Sequence, residues 1–210
     1  MKPLHGLIAV TLALALAGCA APAPTPTGSS TSKPTSTATK PTPKPTPTPS
    51  ITIPPLAIPD CETLLPLATA KDLFSENTEL IASPAASEFV GRQTVPSIPV
   101  VLSTADPTRA CVYGIPQSDG FFEFVVAGIT AAQRATLEGE LAASGYAVTS
   151  MGTLTTYELE GMNEVSSVGT THIFTGDVWI VCDGTSLGLS GVVTGTVLDA
   201  LRTANPALGL

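Results

Sequence analysis

The sequence predicts an α+β domain, in which a mostly antiparallel β-sheet carries helices packed on one face. Short apolar segments rich in β-branched residues occur in pairs joined by turns, which is the pattern of β-hairpins. Two longer segments have helical spacing, and hairpins combined with separate helices are typical of the α+β class. All these segments lie in residues 60–210. This length is enough for one globular domain with a sizeable core.

The strand segments are predicted to form three hairpins. Their paired segments are 111–115 with 121–126, 146–150 with 155–159, and 171–174 with 178–182. The last pair is joined by Thr175-Gly176-Asp177, and a short glycine-containing turn between two β-rich runs is a strong hairpin signal. Residues 82–109 contain four prolines and are predicted to form a long irregular segment. Proline lacks the amide proton that a helix or strand interior needs.

The first long helix is predicted to begin at Thr130, because Thr130 and Gln133 have the spacing of a capping box. Leu137 and Leu141 then lie one turn apart on the face that meets the sheet. Gly145 is predicted to end the helix, since glycine readily adopts the left-handed conformation found after a helix C-terminus.

The second long helix is predicted over about 191–204, with Ser190 as its N-cap. Its apolar face carries Val193, Val197 and Leu201, four residues apart. Asn205-Pro206 is predicted to end it, because the residue before a proline disfavours helical geometry. Two shorter helical turns are predicted at 61–65 and 69–74.

The first eighteen residues have the layout of a secretory signal peptide. Lys2 supplies the positive charge, Leu7–Ala17 is apolar, and Gly18 is small. The apolar run is about eleven residues long, whereas a transmembrane helix needs roughly 20. We therefore expect residues 1–18 to be removed during export.

The four residues Leu16-Ala17-Gly18-Cys19 resemble the lipobox of bacterial lipoproteins. The resemblance implies a diacylglycerol thioether on Cys19 and cleavage of the Gly18–Cys19 bond. Two acyl chains anchor a protein stably where a single chain is marginal. The expected location is therefore the extracytoplasmic face of the cell membrane, reached through the lipid on Cys19.

Residues 19–59 are predicted to be a disordered spacer. Thr-Pro repeats dominate them, as in Lys40–Pro49, and little in them is apolar before Ile51. Proline-rich chains are extended and semi-rigid at about 3.1 Å per residue. The spacer could therefore hold the domain on the order of 100 Å from the bilayer, a reach that suits a thick cell wall.

The domain is strongly acidic. All 17 carboxylate side chains of the sequence lie in it. Its basic residues are few: Lys71, Arg92, Arg109, Arg134 and Arg202. Because nucleic acids and anionic lipid surfaces repel such a domain, we predict no nucleic-acid partner.

Three cysteines remain in the domain, and an exported protein can form disulfides. Cys61, Cys111 and Cys182 allow three single pairings. We favour Cys61–Cys111, which would tie the opening helix to the first hairpin, and keep Cys111–Cys182 as the alternative. With the favoured pairing, Cys182 is expected to be a buried, inert thiol.

One segment, Gly184–Gly188, matches the G-x-S-x-G motif of serine hydrolases. In that fold a histidine follows the serine, whereas His172, the only histidine after the signal peptide, precedes Ser186. A single histidine also provides no zinc-binding spacing. The acidic run at 158–164 is interpreted as a solvated face. We therefore predict no catalytic residue, no metal ligand and no cofactor.

The aromatic residues of the strands are predicted to belong to the core, as such residues usually do. They are Phe121, Phe122, Phe124 and Trp179. A ligand pocket that they line is the alternative.

The whole layout is similar to that of small actinobacterial surface lipoproteins. The features shared are Leu16–Cys19, the Thr/Pro spacer, and Asp60–Pro66 followed later by Cys111–Gly114. The resemblance supports the Cys61–Cys111 pairing and an envelope role, and it implies no activity.

Three functions are therefore considered. The first is a non-enzymatic binding or interaction domain with a cell-wall or envelope-protein partner. The second is a carrier of a small apolar ligand, and the third is a small envelope enzyme of unfamiliar chemistry.

Overall fold

The computed structural model describes residues 54–89, 95–162 and 167–210. In these residues seven strands form one sheet in the order β1-β2-β3-β7-β6-β5-β4, and every neighbouring pair is antiparallel. The strands are β1 (Glu79–Ala82), β2 (Thr108–Gly114), β3 (Phe121–Gly128), β4 (Ala147–Met151), β5 (Leu154–Met162), β6 (Ser167–Thr175) and β7 (Val178–Gly184). The three predicted hairpins are confirmed as β2–β3, β4–β5 and β6–β7.

The described residues also contain five α-helices and one short 3₁₀ helix. The helices are α1 (Cys61–Leu64), α2 (Leu67–Leu73), α3 (Ser97–Thr104), α4 (Ala131–Ala143) and α5 (Leu187–Ala204), and the 3₁₀ helix is Ala86–Glu88. Helices and an antiparallel sheet together confirm the α+β class. No helix in the described ranges is both long enough and apolar enough to cross a membrane.

The placement of the helices differs from the prediction, because they cover both faces of the sheet. Helices α1, α2 and α5 pack on one face, which we call the α5 face. Helices α3 and α4 pack on the other, the α4 face. The cause lies in the central strands β3 and β7, which are buried on both faces. A strand with apolar residues on both faces needs cover on both.

Each face has its own apolar core. The α5-face core includes Leu64, Leu65, Phe122, Phe124, Ile180, Val193, Val197 and Leu201. The α4-face core includes Ile98, Leu102, Val125, Leu137, Leu141, Phe174, Trp179 and Val181. Successive residues of β3 and β7 alternate between the two cores, as the two-residue period of a strand requires.

Helix α4 confirms its sequence signals. The Gln133 amide donates to Thr130 Oγ1 at 3.2 Å, and the Thr130 amide donates to Gln133 Oε1 at 2.8 Å. Leu137 and Leu141 are fully buried. Gly145 follows the helix with φ of +85°, the left-handed conformation expected there.

Helix α5 begins earlier than predicted. Ser186 is its N-cap, and Ser186 Oγ accepts from the Leu189 amide at 3.2 Å. Ser190, the predicted cap, lies inside the helix instead, with its hydroxyl 2.8 Å from Thr171 Oγ1. Both serines precede the apolar face of the helix and either could cap it, so the sequence pattern alone does not distinguish them. The predicted C-terminal limit is confirmed, because Asn205 is the C-cap.

The described residues of the segment 82–109 (82–89 and 95–109) are more regular than predicted. The segment contains helix α3, and the end of the unpredicted edge strand β1 reaches into it. Pro99 lies in the first turn of α3, where a helix amide needs no intrahelical partner, so proline is tolerated. The donors of Ser97, the first residue of α3, bind the side chain of Glu140 in α4. Glu140 Oε2 accepts from the Ser97 amide at 3.0 Å and from Ser97 Oγ at 2.7 Å.

The predicted disulfide Cys61–Cys111 is present, with the two Cα atoms 5.7 Å apart. It joins the start of α1 to the middle of β2. Tyr113 strengthens the same junction, because its buried hydroxyl lies 2.9 Å from the Cys61 carbonyl and 2.7 Å from the Leu65 carbonyl. Helix α1 is therefore fixed to the sheet by a covalent bond and by a buried phenol.

Candidate functional site

The predicted lipidation site, Cys19, lies outside the described residues, as do the signal segment and the spacer up to residue 53. Of the predicted disulfide residues, Cys61 and Cys111 are buried together in the α5-face core. Their disulfide has a structural role, and neither residue is exposed.

The third cysteine of the domain, Cys182, is a free thiol and is completely buried. Burial raises the pKa of its thiol well above the ordinary value, with the nearby carboxylates Asp183 and Glu123 acting in the same direction. Because the thiolate is the reactive form, this cysteine is held in its unreactive state.

Ser186 and His172 of the hydrolase-like motif are not brought together. Ser186 caps α5, which packs on the α5 face. The His172 ring stacks against Trp179, with ring centroids 5.9 Å apart, and meets Tyr146 edge-on at 5.2 Å, both in the α4-face core. The sheet therefore separates the two side chains.

His172 is a buried neutral imidazole. Burial lowers its pKa to about 3. The Trp179 indole N–H donates to His172 Nδ1 at 3.2 Å. His172 Nε2 is buried and has no hydrogen-bond partner among the described residues. The sequence could not predict this environment, since a strand histidine is compatible with either face.

The aromatic residues Phe122, Phe124 and Trp179 are fully buried in the two cores, whereas Phe121 is 49% exposed at the start of β3. None of the four lines the cleft that opens at one end of the sheet. Asp183 of β7 contacts Thr170 of β6 and lies in register opposite Glu123 of β3. These three side chains form a polar row on the α4 face. Within the described part of the chain, no three His, Cys, Asp or Glu side chains are grouped so as to hold a metal ion.

A cleft of about 600 Å³ opens at one end of the sheet; we call it the end cleft. Most of its lining is apolar: Pro54, Pro55, Leu56, Ala105, Pro107, Gly128, Ile129, Gly176, Val178, Leu208 and Leu210. The polar lining residues are Thr104, Asp106, Thr130, Gln133 and Asp177.

The arrangement of strands places two carboxylates at this cleft. Strands β2 and β7 lie on either side of β3 and are both antiparallel to it, so both begin at the same end of the sheet. Asp106 precedes β2, and Asp177 precedes β7. Two strand spacings separate those starts, which is about 10 Å. Both aspartates are exposed.

The backbone between these aspartates is held by hydrogen bonds. The Gly128 amide donates to the Pro107 carbonyl, and the Ile129 amide donates to the Asp177 carbonyl, both at 2.8 Å. A Cβ on Gly128 would lie 3.0 Å from Pro107 Cδ and 3.1 Å from the Asp106 carbonyl oxygen. At the floor of the cleft, the backbone at the end of β3 therefore lies very close to the backbone of the segment before β2.

The first described residues form one wall of the cleft, and Asn205 holds the segment that follows them. Asn205 Oδ1 accepts from the Ala57 amide, and Asn205 Nδ2 donates to the Ala57 carbonyl, both at 2.8 Å. Leu56 and Ile58 pack against the α5-face core. The spacer therefore joins the domain beside the end cleft.

Comparison of the chain with protein-family models, with curated proteins and with solved structures finds no match.

Proposed function

We propose that the protein is a lipid-anchored extracytoplasmic lipoprotein whose domain binds a cell-wall component or an envelope protein without catalysing a reaction. Its location is argued from Leu16–Cys19 at the end of an apolar export segment. The binding function is supported by one observation, the end cleft. Its volume falls within the range of about 300–1,000 Å³ that is typical of binding sites for small molecules.

The cleft opens at one end of the sheet, where residues 54–56 supply one of its walls. The groups that usually suggest catalysis are engaged elsewhere: Ser186 caps a helix, His172 accepts from Trp179, and Cys182 is buried.

The location is tested by intact mass measurement of the protein from the detergent phase of extracted cells, beside a Cys19→Ala variant. A diacylglyceryl mass on Cys19 that is lost in the variant supports the proposal. An unlipidated product in the culture medium contradicts it.

To test the binding function, cell-wall extracts and envelope proteins are passed over a column that carries the immobilised mature chain, and their retention is measured. A matched column carries a variant with Leu208→Ser, which removes apolar surface from the cleft wall. Retention that the variant weakens supports the proposal, and equal retention on both columns contradicts binding through the cleft.

The apolar lining also favours a second function, the carriage of a small apolar ligand. Native mass spectrometry distinguishes the two, because a carrier extracted gently from cells retains a small molecule. A mass equal to that of the polypeptide with its lipid contradicts the carrier function.

A further inference from the structure

We infer that the end cleft binds an organic amine with an apolar body, with the body against the apolar walls and the ammonium group beside Asp106 or Asp177. The inference rests on the proposed binding function and names the chemical class of the ligand.

The walls determine the body of the ligand. They are supplied by residues 54–56, the segment before β2, the end of β3, the β6–β7 turn and residues 208–210. Proline, leucine, isoleucine and valine side chains predominate in them. Covering such walls with an apolar group removes apolar surface from water, which favours binding.

The polar groups of the lining determine the charge of the ligand. Thr130 and Gln133 bond each other in the α4 capping box, and Gln133 Nε2 donates to Thr104 Oγ1 at 3.0 Å. These groups are therefore already satisfied within the protein. Asp106 and Asp177 form no ion pair with any described residue. They remain as the polar side chains of the cleft that a ligand can engage.

No Lys, Arg or His is among the described residues that line the cleft. Two cations contact lining residues from outside the cleft: Arg134 Nη1 donates to the Gly176 carbonyl and Arg202 Nε donates to the Leu210 carbonyl, both at 2.8 Å. The charge of each is compensated by an ion pair, since Arg134 Nε lies 3.0 Å from Glu138 Oε1 and Arg202 Nη1 lies 3.2 Å from Asp199 Oδ1. A cleft with apolar walls and charges of one sign concentrates the field, and here it attracts cations.

The spacing of the carboxylates favours an organic cation over a metal ion. Calcium needs several oxygens that converge at about 2.3–2.6 Å. Asp106 and Asp177 precede two strands that lie on either side of β3, and the starts of those strands are about 10 Å apart. An ammonium group needs only one of them, while its apolar body covers the wall.

The test uses three probes of the same shape and different charge: phenylbutylamine, phenylbutanol and phenylbutyrate. They are titrated into the mature chain without its lipid, residues 20–210, and Kd is measured from the NMR shifts of the Gly128, Ile129 and Val178 amides. We expect the amine to bind most tightly, the alcohol less tightly, and the acid most weakly. The preference should decrease with added salt, because salt screens exposed charges.

Neutral variants identify the charged partners. Asp106→Asn and Asp177→Asn should each weaken binding of the amine by about two- to fivefold, the range of exposed ion pairs, and leave the alcohol unchanged. The control is Asp119→Asn, which makes the same charge change in the exposed β2–β3 turn at the opposite end of the sheet. It should alter no Kd.

The outcomes separate the two proposals. Equal binding of the three probes, or variants at Asp106 and Asp177 that leave the amine unaffected, overturns the amine inference and keeps the cleft as a binding site. If none of the probes shifts the cleft amides at millimolar concentration, both the inference and the cleft-based function are rejected.

Discussion

At the scale of single residues, His172 couples the core to pH. Its pKa is about 3 in the folded protein, lowered by burial, against the ordinary value of 6.5 in the unfolded chain. Between these values the unfolded chain binds a proton that the native protein does not. The free energy of unfolding therefore falls as pH drops from about 6.5 towards 3, by about 1.4 kcal/mol per pH unit. Above about 6.5 this residue adds no pH dependence.

We predict that His172→Gln has a shallower acid dependence of stability than the native sequence, while its amide oxygen can still accept from Trp179. Urea unfolding between pH 7 and pH 4 measures the difference. Carboxylates also titrate in this range, so only the difference between the two curves reports His172. Parallel curves would show that His172 is accessible to protons in the folded state.

Gly169 of β6 illustrates a steric requirement. A Cβ at this position would overlap the backbone of Leu187 and Ser186 at the start of α5. Since backbone cannot turn aside as a flexible side chain can, Gly169→Ala should lower the free energy of unfolding by about 1–3 kcal/mol or more. Gly161→Ala in β5 is the control, because its nearest atom would be Val168 Cγ2 at 4.0 Å. Equal losses in the two variants of a thermal unfolding experiment would contradict the steric argument.

Local signals at single residues were predictable where they depend on neighbours in sequence. Thr130 and Gln133 form the predicted capping box, and Gly145 has the predicted left-handed conformation. Ser190 was wrongly assigned as a cap because Ser186, four residues earlier, competes for that role. The burial of His172 depends on which strands lie beside β6, which residue spacing cannot indicate.

At the scale of elements, the hairpins and the long helices were predictable because each has its own period and turn. Strand β1 was missed, since it has only four residues and a shifted register against β2. Helix α3 lies in a segment whose four prolines predict irregular structure, but its Pro99 lies in the first turn, where proline is allowed. For the cleft, the sequence places Asp177 only in a turn between two strands. The proximity of Asp106 to Asp177 follows from the strand order β2-β3-β7, which residue spacing does not indicate.

The joint between spacer and domain depends on the C-cap of α5. Asn205 bonds both the amide and the carbonyl of Ala57, and it is only 6% exposed. Asn205→Ala should therefore free residues 54–58 and cost about 1–3 kcal/mol, because partly buried backbone groups lose their partner. Faster hydrogen exchange of the Ala57 amide measures the release.

Asn77→Ala is the control for this prediction, because Asn77 is exposed and no hydrogen bond of its side chain to the described residues is present. It should change neither stability nor exchange at Ala57. Unchanged exchange at Ala57 in Asn205→Ala would mean that Leu56 and Ile58 hold the joint by packing alone.

At the scale of the whole molecule, the disulfide closes a loop that contains elements from both faces of the sheet, although both of its cysteines lie in the α5-face core. Cys61 and Cys111 are 50 residues apart in sequence. The chain between them passes from α2 on the α5 face, around the edge strand β1, to α3 on the α4 face and back to β2. The sequence favours this pairing and leaves Cys111–Cys182 as the alternative, but it does not indicate this path, because covering both faces is a property of the assembled sheet.

Closing a loop of this length contributes about 4 kcal/mol in the chain-entropy model. We predict that the free energy of unfolding of the double variant Cys61→Ala/Cys111→Ala is lower than that of the native sequence by up to about this amount. The helices on both faces should be destabilised together and unfold in one transition, because β3 and β7 are shared by the two cores. Urea unfolding followed by the fluorescence of Trp179, which lies in the α4-face core, and by far-ultraviolet circular dichroism tests this. Cys182→Ala, which removes a buried thiol but no crosslink, should lose less. If the Trp179 transition stayed at its native urea concentration while the dichroism shifted, the disulfide would stabilise one face alone, and the shared central strands would not couple the cores.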